Sequence, residues 1–260
     1  MAIPKTSLVQ DLYRIGVCEG DVLLVHSSLR AVGAAEGGAD TVLDALLEAV
    51  GDSGTLLMPG FQSGSEYVLA SQGVCFDAAE TPSGCGFLTE LFRKRPGTIR
   101  SLSPTHSLTG QGTKAEVILS GHERCNVTAG WGSPFQRIPE LDGKILMLGA
   151  TRHSNTMMHY LENTGGAPTL CAIQFKTSVV DTAGRKTETL IYPHMPGLHR
   201  NYPHAIDLLE KAGGLTRGKI GEAVSELYSG RLLEKVVREA LRKNPCEFIQ
   251  IFTPGPEPEG

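Results

Sequence analysis

The sequence predicts an α/β layered protein, and three observations carry that prediction. Continuous apolar runs of strand length recur, among them Val22-Leu23-Leu24-Val25, Leu56-Leu57-Met58 and Ile145-Leu146-Met147-Leu148, the pattern of buried strands. A stretch with apolar residues at helical spacing separates the first two, which makes a β-α-β unit. The 260 residues are 40% hydrophobic and 20% charged, the composition of a globular chain able to bury one large core.

In chain order, Thr6 opens a capped helix that reaches about Ile15. Asp21–Val25 is a strand that ends at His26-Ser27-Ser28. From Gly38 to Val50, the spacing of Val42, Leu43, Leu46, Leu47 and Val50 predicts an amphipathic helix. Gly51-Asp52-Ser53-Gly54 turns the chain into the strand Thr55–Met58, closed by Pro59-Gly60. Phe61–Gly86 is polar and glycine-rich and reads as a functional loop with little regular structure. A helix over Phe87–Arg95 precedes a strand over Ser101–Gly112, interrupted at Pro104-Thr105-His106-Ser107, and a short helix over Ala115–Leu119. After the strand Ile145–Leu148, a glycine ends the run and Asn155-Thr156 stands where a helix begins. Leu170–Val180 and Lys186–Tyr192 read as paired strands about the 182–185 turn. Asp207–Gly213 and Lys219–Arg242 read as helices, the second broken near Gly230, and Phe248–Phe252 as a last strand. The expectation is one domain over residues 1–253 and a flexible Pro/Gly/Glu tail over 254–260.

A net charge of -4 gives no electrostatic footprint for nucleic acid or an anionic membrane. No apolar run approaches the ~20 residues of a membrane helix, and the start has no signal-peptide core. The six cysteines are scattered with no CxxC pair, which points to free thiols in a reducing cytoplasm.

Chemistry concentrates where strands end, the position at which open α/β sheets bind ligands. Three polar clusters stand there: His26-Ser27-Ser28, Pro104-Thr105-His106-Ser107, and His153 to Glu162. In the last, His159 and Glu162 lie three apart, on one helix face. An imidazole, a carboxylate and the donors of a helix start suit proton transfer. His153 and His159 are six apart, which does not present two imidazoles on one helical face as zinc-binding helices do. The chain also lacks a Gly-x-Ser-x-Gly elbow, which argues against covalent hydrolase chemistry.

These segments resemble the aminoglycoside 3-N-acetyltransferase family. Similarity runs through Leu24-Val25-His26-Ser27-Ser28-Leu29-Arg30, Gly54–Pro59, Pro82–Phe87 leading to Glu90 and Arg93, Ser103–Ser107, Gly132–Phe135 before Leu141-Asp142-Gly143, and a His-x-x-Asn-Thr-x-x-His-x-x-Glu-like core at His153, Asn155, Thr156, His159 and Glu162. The resemblance implies a three-layer α/β/α domain around a mixed sheet, with long loops and small helical additions over the cleft. It implies transfer of acetyl from acetyl-CoA, as a co-substrate and without a metal, to a small-molecule amine of an aminoglycoside or related amino sugar, the chemistry of antibiotic resistance. A homodimer is left open.

The same resemblance makes His159 the base, with Glu162 orienting the ring or stabilising its charged form and Thr156 donating to the thioester oxygen or the departing sulfur. It puts coenzyme A against His26, Ser27, Ser28, Thr105, His106 and Ser107, and the charge of Arg30 adds a phosphate partner beside them. Glu66, Asp77, His153, Asn155, His194 and His199 are the expected acceptor contacts. The family carries a carboxylate pair where this chain reads Ile191 to His204, a segment with three histidines, an arginine and no acid. That substitution predicts a pocket that disfavours polycations and accepts neutral or anionic amines. It also leaves a coenzyme-A-binding protein without transferase activity as the alternative reading.

Overall fold

The computed structural model describes residues 2–250, so the tail predicted over 254–260 and the end of the predicted last strand lie outside the described residues. The first half runs α1 (Lys5–Ile15), β1 (Val22–Ser27), α2 (Leu29–Val32), α3 (Ala39–Val50), β2 (Thr55–Pro59), α4 (Glu66–Ser71), β3 (Cys75–Asp77), α5 (Phe87–Lys94), β4 (Ile99–Arg100), β5 (Leu108–Gly112) and α6 (Ala115–Leu119). The second half runs α7 (Pro134–Glu140), β6 (Lys144–Leu148), α8 (Met157–Gly165), β7 (Phe175–Val180), β8 (Lys186–Ile191), β9 (His199–Arg200), α9 (Tyr202–Lys211), β10 (Leu215–Ile220), β11 (Ala223–Ser229), α10 (Gly230–Lys243) and β12 (Ile249–Gln250).

Seven strands form the central sheet in the order β10-β11-β6-β1-β2-β5-β4. β1 is parallel to both β2 and β6, whereas β5 and β11 run antiparallel to their neighbours, so the sheet is mixed. The unbroken apolar runs have a direct cause, because successive side chains point to opposite faces and both faces are covered. Leu24, Leu57, Ile145 and Met147 pack with residues of α6, α7, α8, α9 and α10. Leu23, Val25, Leu56, Met58, Leu146 and Leu148 pack with α1, α3 and α5 on the other side. The result is the three-layer α/β/α arrangement. A separate three-stranded sheet, β3-β7-β8, stands beside it.

Four local expectations change. Residues 219–229 are not helical: β10 and β11 form a hairpin closed by Gly221-Glu222, with Gly221 at φ +60° as a two-residue hairpin turn requires. Ala223, Ser225 and Leu227 point inward while Val224 is exposed, and β11 joins β6 from Ser225–Leu148 to Ser229–Lys144. The 61–86 loop contains α4 and β3, because Ser65 Oγ caps Val68 N and Phe76 buries against Val179. The strand expected from Ser101 starts only at Leu108, since Ser103 N bonds back to Ser101 O and His106 N to Ser103 Oγ in local turns. Finally, α7 was not expected; Pro134 sits in its first turn, where a missing N–H costs nothing.

Candidate active site

The carboxyl ends of β1, β2 and β6 open on one edge of the sheet, and antiparallel β5 brings residues 104–107 to that same edge. There the structure forms two adjoining cavities, of about 380 and 440 Å³, which share Phe61, Thr156 and His159. The first is lined by His26, Ser27, Cys85, Thr89, His153 and Ser154, among others. The second is lined by Glu66, Tyr67, His106, His194, Leu198 and Arg200, among others. A further groove, containing Ser28, Arg30 and Phe87, continues outward from the first cavity across Ser27.

The turn into α8 is fixed from several sides. Gly149 has φ +62°, and a Cβ there would lie 2.5 Å from Ala31 Cβ. Arg152 grips Glu226 with Nε and Nη2 at 3.0 and 2.7 Å and donates to Asp207 at 2.8 Å. Asn155 is fully buried, and its Oδ1 accepts from Met157 N at 3.2 Å. His26 is buried with Nε2 3.4 Å from Thr156 Oγ1. Burial drives its pKa down to about 3, so the ring is neutral.

His159 does not touch Glu162 directly through any polar contact among the described residues; Tyr202 stands between them. The Tyr202 hydroxyl donates to Glu162 Oε2 at 3.1 Å and lies 3.0 Å from His159 Nδ1. A phenol has one proton, so with that proton on Glu162 the Nδ1 of His159 must be the donor. This leaves the Nε2 lone pair for the cleft. Arg200 Nε also donates to Glu162 Oε2 at 3.0 Å. Glu162 is wholly buried with Oε1 unpartnered, and burial pushes its pKa up to about 7 despite Arg200 and Tyr202. Burial, helped by His194, His106 and Arg200, holds His159 well below the usual imidazole range.

Glu66 organises the second cavity. Its Oε1 accepts from Thr105 at 2.8 Å, from Thr128, and from His106 Nδ1 at 3.2 Å. Its Oε2 accepts from His194 N at 2.9 Å and from His194 Nδ1. His194 and His106, through charge and hydrogen bonding, outweigh burial and keep the carboxyl ionised. The His194 ring stacks 4.4 Å from that of His159, and its Nε2 is engaged by Asn163. Ligand atoms of Glu66, His106 and His194 lie within 4.8 Å of one another, the one such cluster among the described residues, but hydrogen bonds already join them.

The expected residues therefore divide. His26, Ser27, His153, Thr156 and His159 line the first cavity, and Ser28 and Arg30 its outward groove. Glu66, His106 and His194 line the second. Asn155 and Glu162 are buried supports. Thr105 and Ser107 are also buried, and Thr105 Oγ1 donates to Glu66, which lines the second cavity. Asp77 lies outside both cavities, its Oδ1 accepting from Ala79 N and Glu80 N in a tight turn. His199 is exposed on β9, also outside them. Nor is the 191–204 segment acid-free in space: Glu66 meets His194 and Glu162 meets Arg200, so the expected bias against cations is offset. Sequence reasoning missed Tyr202 and Arg200. Their one signal was the Asn201 cap, which accepts from His204 N and starts α9 at Tyr202.

Comparison with known proteins agrees with this architecture. The family described as aminoglycoside 3-N-acetyltransferase matches residues 24–242. An aminoglycoside N(3)-acetyltransferase III from Salmonella sp is 35% identical over 177 residues, covering 63% of this chain and 62% of the relative, so the match spans less than two thirds of that protein. A solved structure of AAC-IIIb in a binary complex with CoASH superposes with a TM-score of 0.83 at 27% identity, covering 98% of this chain and 100% of the other. AAC-VIa bound to sisomicin gives 0.80 at 27%, covering 94% and 98%. Among the described residues no helix is long and apolar enough to cross a membrane.

Proposed function

The chain belongs to the aminoglycoside 3-N-acetyltransferase family, and from that premise we propose that it moves an acetyl group from acetyl-CoA to an amine of an aminoglycoside or related amino sugar by direct transfer. The observation that carries the reading is the meeting of two cavities at Thr156 and His159. A two-substrate transfer needs two binding spaces and one shared point of reaction.

The first cavity and its groove fit coenzyme A. Arg30 and exposed Phe87 lie at the outer end, suited to phosphate and a flat base. The inner part offers hydroxyls and a neutral imidazole, suited to the uncharged pantetheine arm. Acetyl-CoA supplies the acyl thioester there. The second cavity then holds the amine.

His159 takes a proton from the amine nitrogen on its Nε2. A resting ring held neutral keeps that lone pair available at neutral pH. Positive charge on the ring is answered by Glu162 through Tyr202, a longer version of the carboxylate–imidazole arrangement of serine hydrolases. Thr156, common to both cavities, donates its hydroxyl to the developing oxygen charge, while His26 Nε2 fixes it from behind. The test is an acetyl-CoA thiol-release screen across aminoglycosides, amino sugars and aminophosphonates. Acetylated amine without any trapped acetyl-protein supports the proposal. Coenzyme A binding without thiol release on any amine would favour a binding protein that has lost the chemistry.

A further inference from the structure

The proposed transfer leaves one proton without a destination. An amine acceptor arrives at neutral pH as an ammonium ion, R–NH3+, and has no lone pair until a proton leaves. Once nitrogen has attacked the thioester, a second proton must leave nitrogen as the amide forms. One of the two ends on the departing sulfur and the other goes to solvent. His159 alone accounts for only one at a time.

His106 answers this need. Its Nδ1 is engaged by Glu66 Oε1 at 3.2 Å and by Thr128 Oγ1 at 2.9 Å. Because Thr128 Oγ1 also donates to Glu66, the ring's Nδ1–H is the proton that serves this cluster. Its other nitrogen, Nε2, is left for the cavity that His106 lines together with His159. The two rings stand 5.4 Å apart, nearly edge to face, and the Phe61 ring, in the same cavity wall, lies 5.4 Å from that of His106. The titratable groups that face it are Glu66 from α4, His159 from α8, His194 after β8 and His122 from the turn before α7. Of these, Glu66 is held ionised while burial keeps His159 and His122 below the usual imidazole range, so a positive charge on His106 is answered by the carboxylate it touches; Arg200, the cation lining the same cavity, donates instead to Glu162.

We propose that His106, backed by Glu66, takes the first proton from the acceptor's ammonium group and so generates the nucleophile. His159 then takes the second proton as nitrogen attacks and passes it to sulfur, while His106 returns its own to solvent. This assignment rests on the transferase reading above and adds a second catalytic residue to it.

The test is the pH dependence of kcat/KM in the thiol-release assay with sisomicin, from about pH 6.5 to 9.5, for the unaltered enzyme and His106→Asn. Asparagine keeps a donor near the Nδ1 position for Glu66 and removes the cavity-facing lone pair. The variant should lose about 100-fold at pH 7 and recover to within about threefold near pH 9.5, where solvent already supplies the free amine. A loss equal at every pH would make His106 a structural support of Glu66 and overturn the proposal; so would no loss at all. If His106→Asn does not fold, Glu66→Gln carries the same test, since it removes the countercharge and keeps the shape. Failure of the unaltered enzyme to acetylate sisomicin, gentamicin C1a or glucosamine, with acetyl-CoA bound in calorimetry, would instead sink the transferase reading and this proposal with it.

Discussion

Replacing Tyr202 by phenylalanine removes one oxygen and cuts the only path between His159 and Glu162 seen among the described residues. The oxygen lies 3.0 Å from His159 Nδ1 and 3.1 Å from Glu162 Oε2. The ring itself stays, so its place in the buried core is kept. At rest, burial keeps the His159 ring neutral, and the lost contact is an ordinary one. As His159 accepts the proton, the contact becomes a hydrogen bond to an ion, worth about 1.5–3 kcal/mol. Only the excess over the ordinary contact, about 1–1.5 kcal/mol, enters kcat, so at 1.36 kcal/mol per tenfold kcat should fall by roughly 5- to 13-fold. The KM for acetyl-CoA should barely move, because Tyr202 lines neither the first cavity nor its groove. Steady-state thiol release at saturating acceptor measures both. The double variant Tyr202→Phe/Glu162→Gln should be little worse than the weaker single variant, since both cut the same path. A kcat within threefold of the unaltered enzyme, or fully multiplicative losses, would refute the relay.

Three further outcomes follow from the same geometry. His159→Ala should abolish most turnover while coenzyme A binding, measured by calorimetry, stays nearly intact; retained turnover would assign the base elsewhere. Gly149→Ala puts a methyl 2.5 Å from Ala31 Cβ at φ +62°, and should cost about 1–3 kcal/mol, read as a lower melting temperature. Stability should also fall on acidification. His26 and His122 have folded pKa values lowered to about 3, below their unfolded 6.5, so the unfolded chain binds more protons in that window. The loss begins as pH drops below 6.5, at up to about 1.4 kcal/mol per pH unit for each ring. Glu162 acts in the opposite sense between 4.5 and about 7, since its raised pKa favours the folded state as pH falls. Urea melts at pH 7 and pH 5 decide the balance, and His122→Gln should flatten the acid limb.

Local chemistry made much of this protein legible. The apolar runs announced strands because β1, β2 and β6 are covered by helices on both faces, which leaves no polar alternation to obscure them. The turn before α8 could be read because a glycine, an asparagine whose Oδ1 accepts from Met157 N, and a closely spaced His and Glu all act within one short segment. Where neighbours in sequence are not the partners, that legibility ended. Residues 219–229 looked helical although β10 and β11 are a local hairpin, because β11 is also held by β6, some 80 positions earlier, and no nearby residue signals that pairing. The Tyr192–His204 segment looked cationic because its counterions, Glu66 and Glu162, arrive from other elements. Glu162 faced His159 on paper, yet Tyr202, from a helix 40 residues on, occupies the space between them.

The sequence by itself determined the layered sheet and the strand ends at which the two cavities open, with His159 among the residues it named there. Periodicity, caps and strand ends are short-range properties, written within a few residues of where they act. Only the tertiary structure decided which carboxylate answers which imidazole, and hence which ring is backed directly by Glu66 and which is reached through Tyr202. Hydrogen bonds and charge pairing in a buried site depend on separations of a few ångströms between side chains 40 to 128 positions apart. No local pattern records those distances, because they exist only once the sheet has brought its strand ends together.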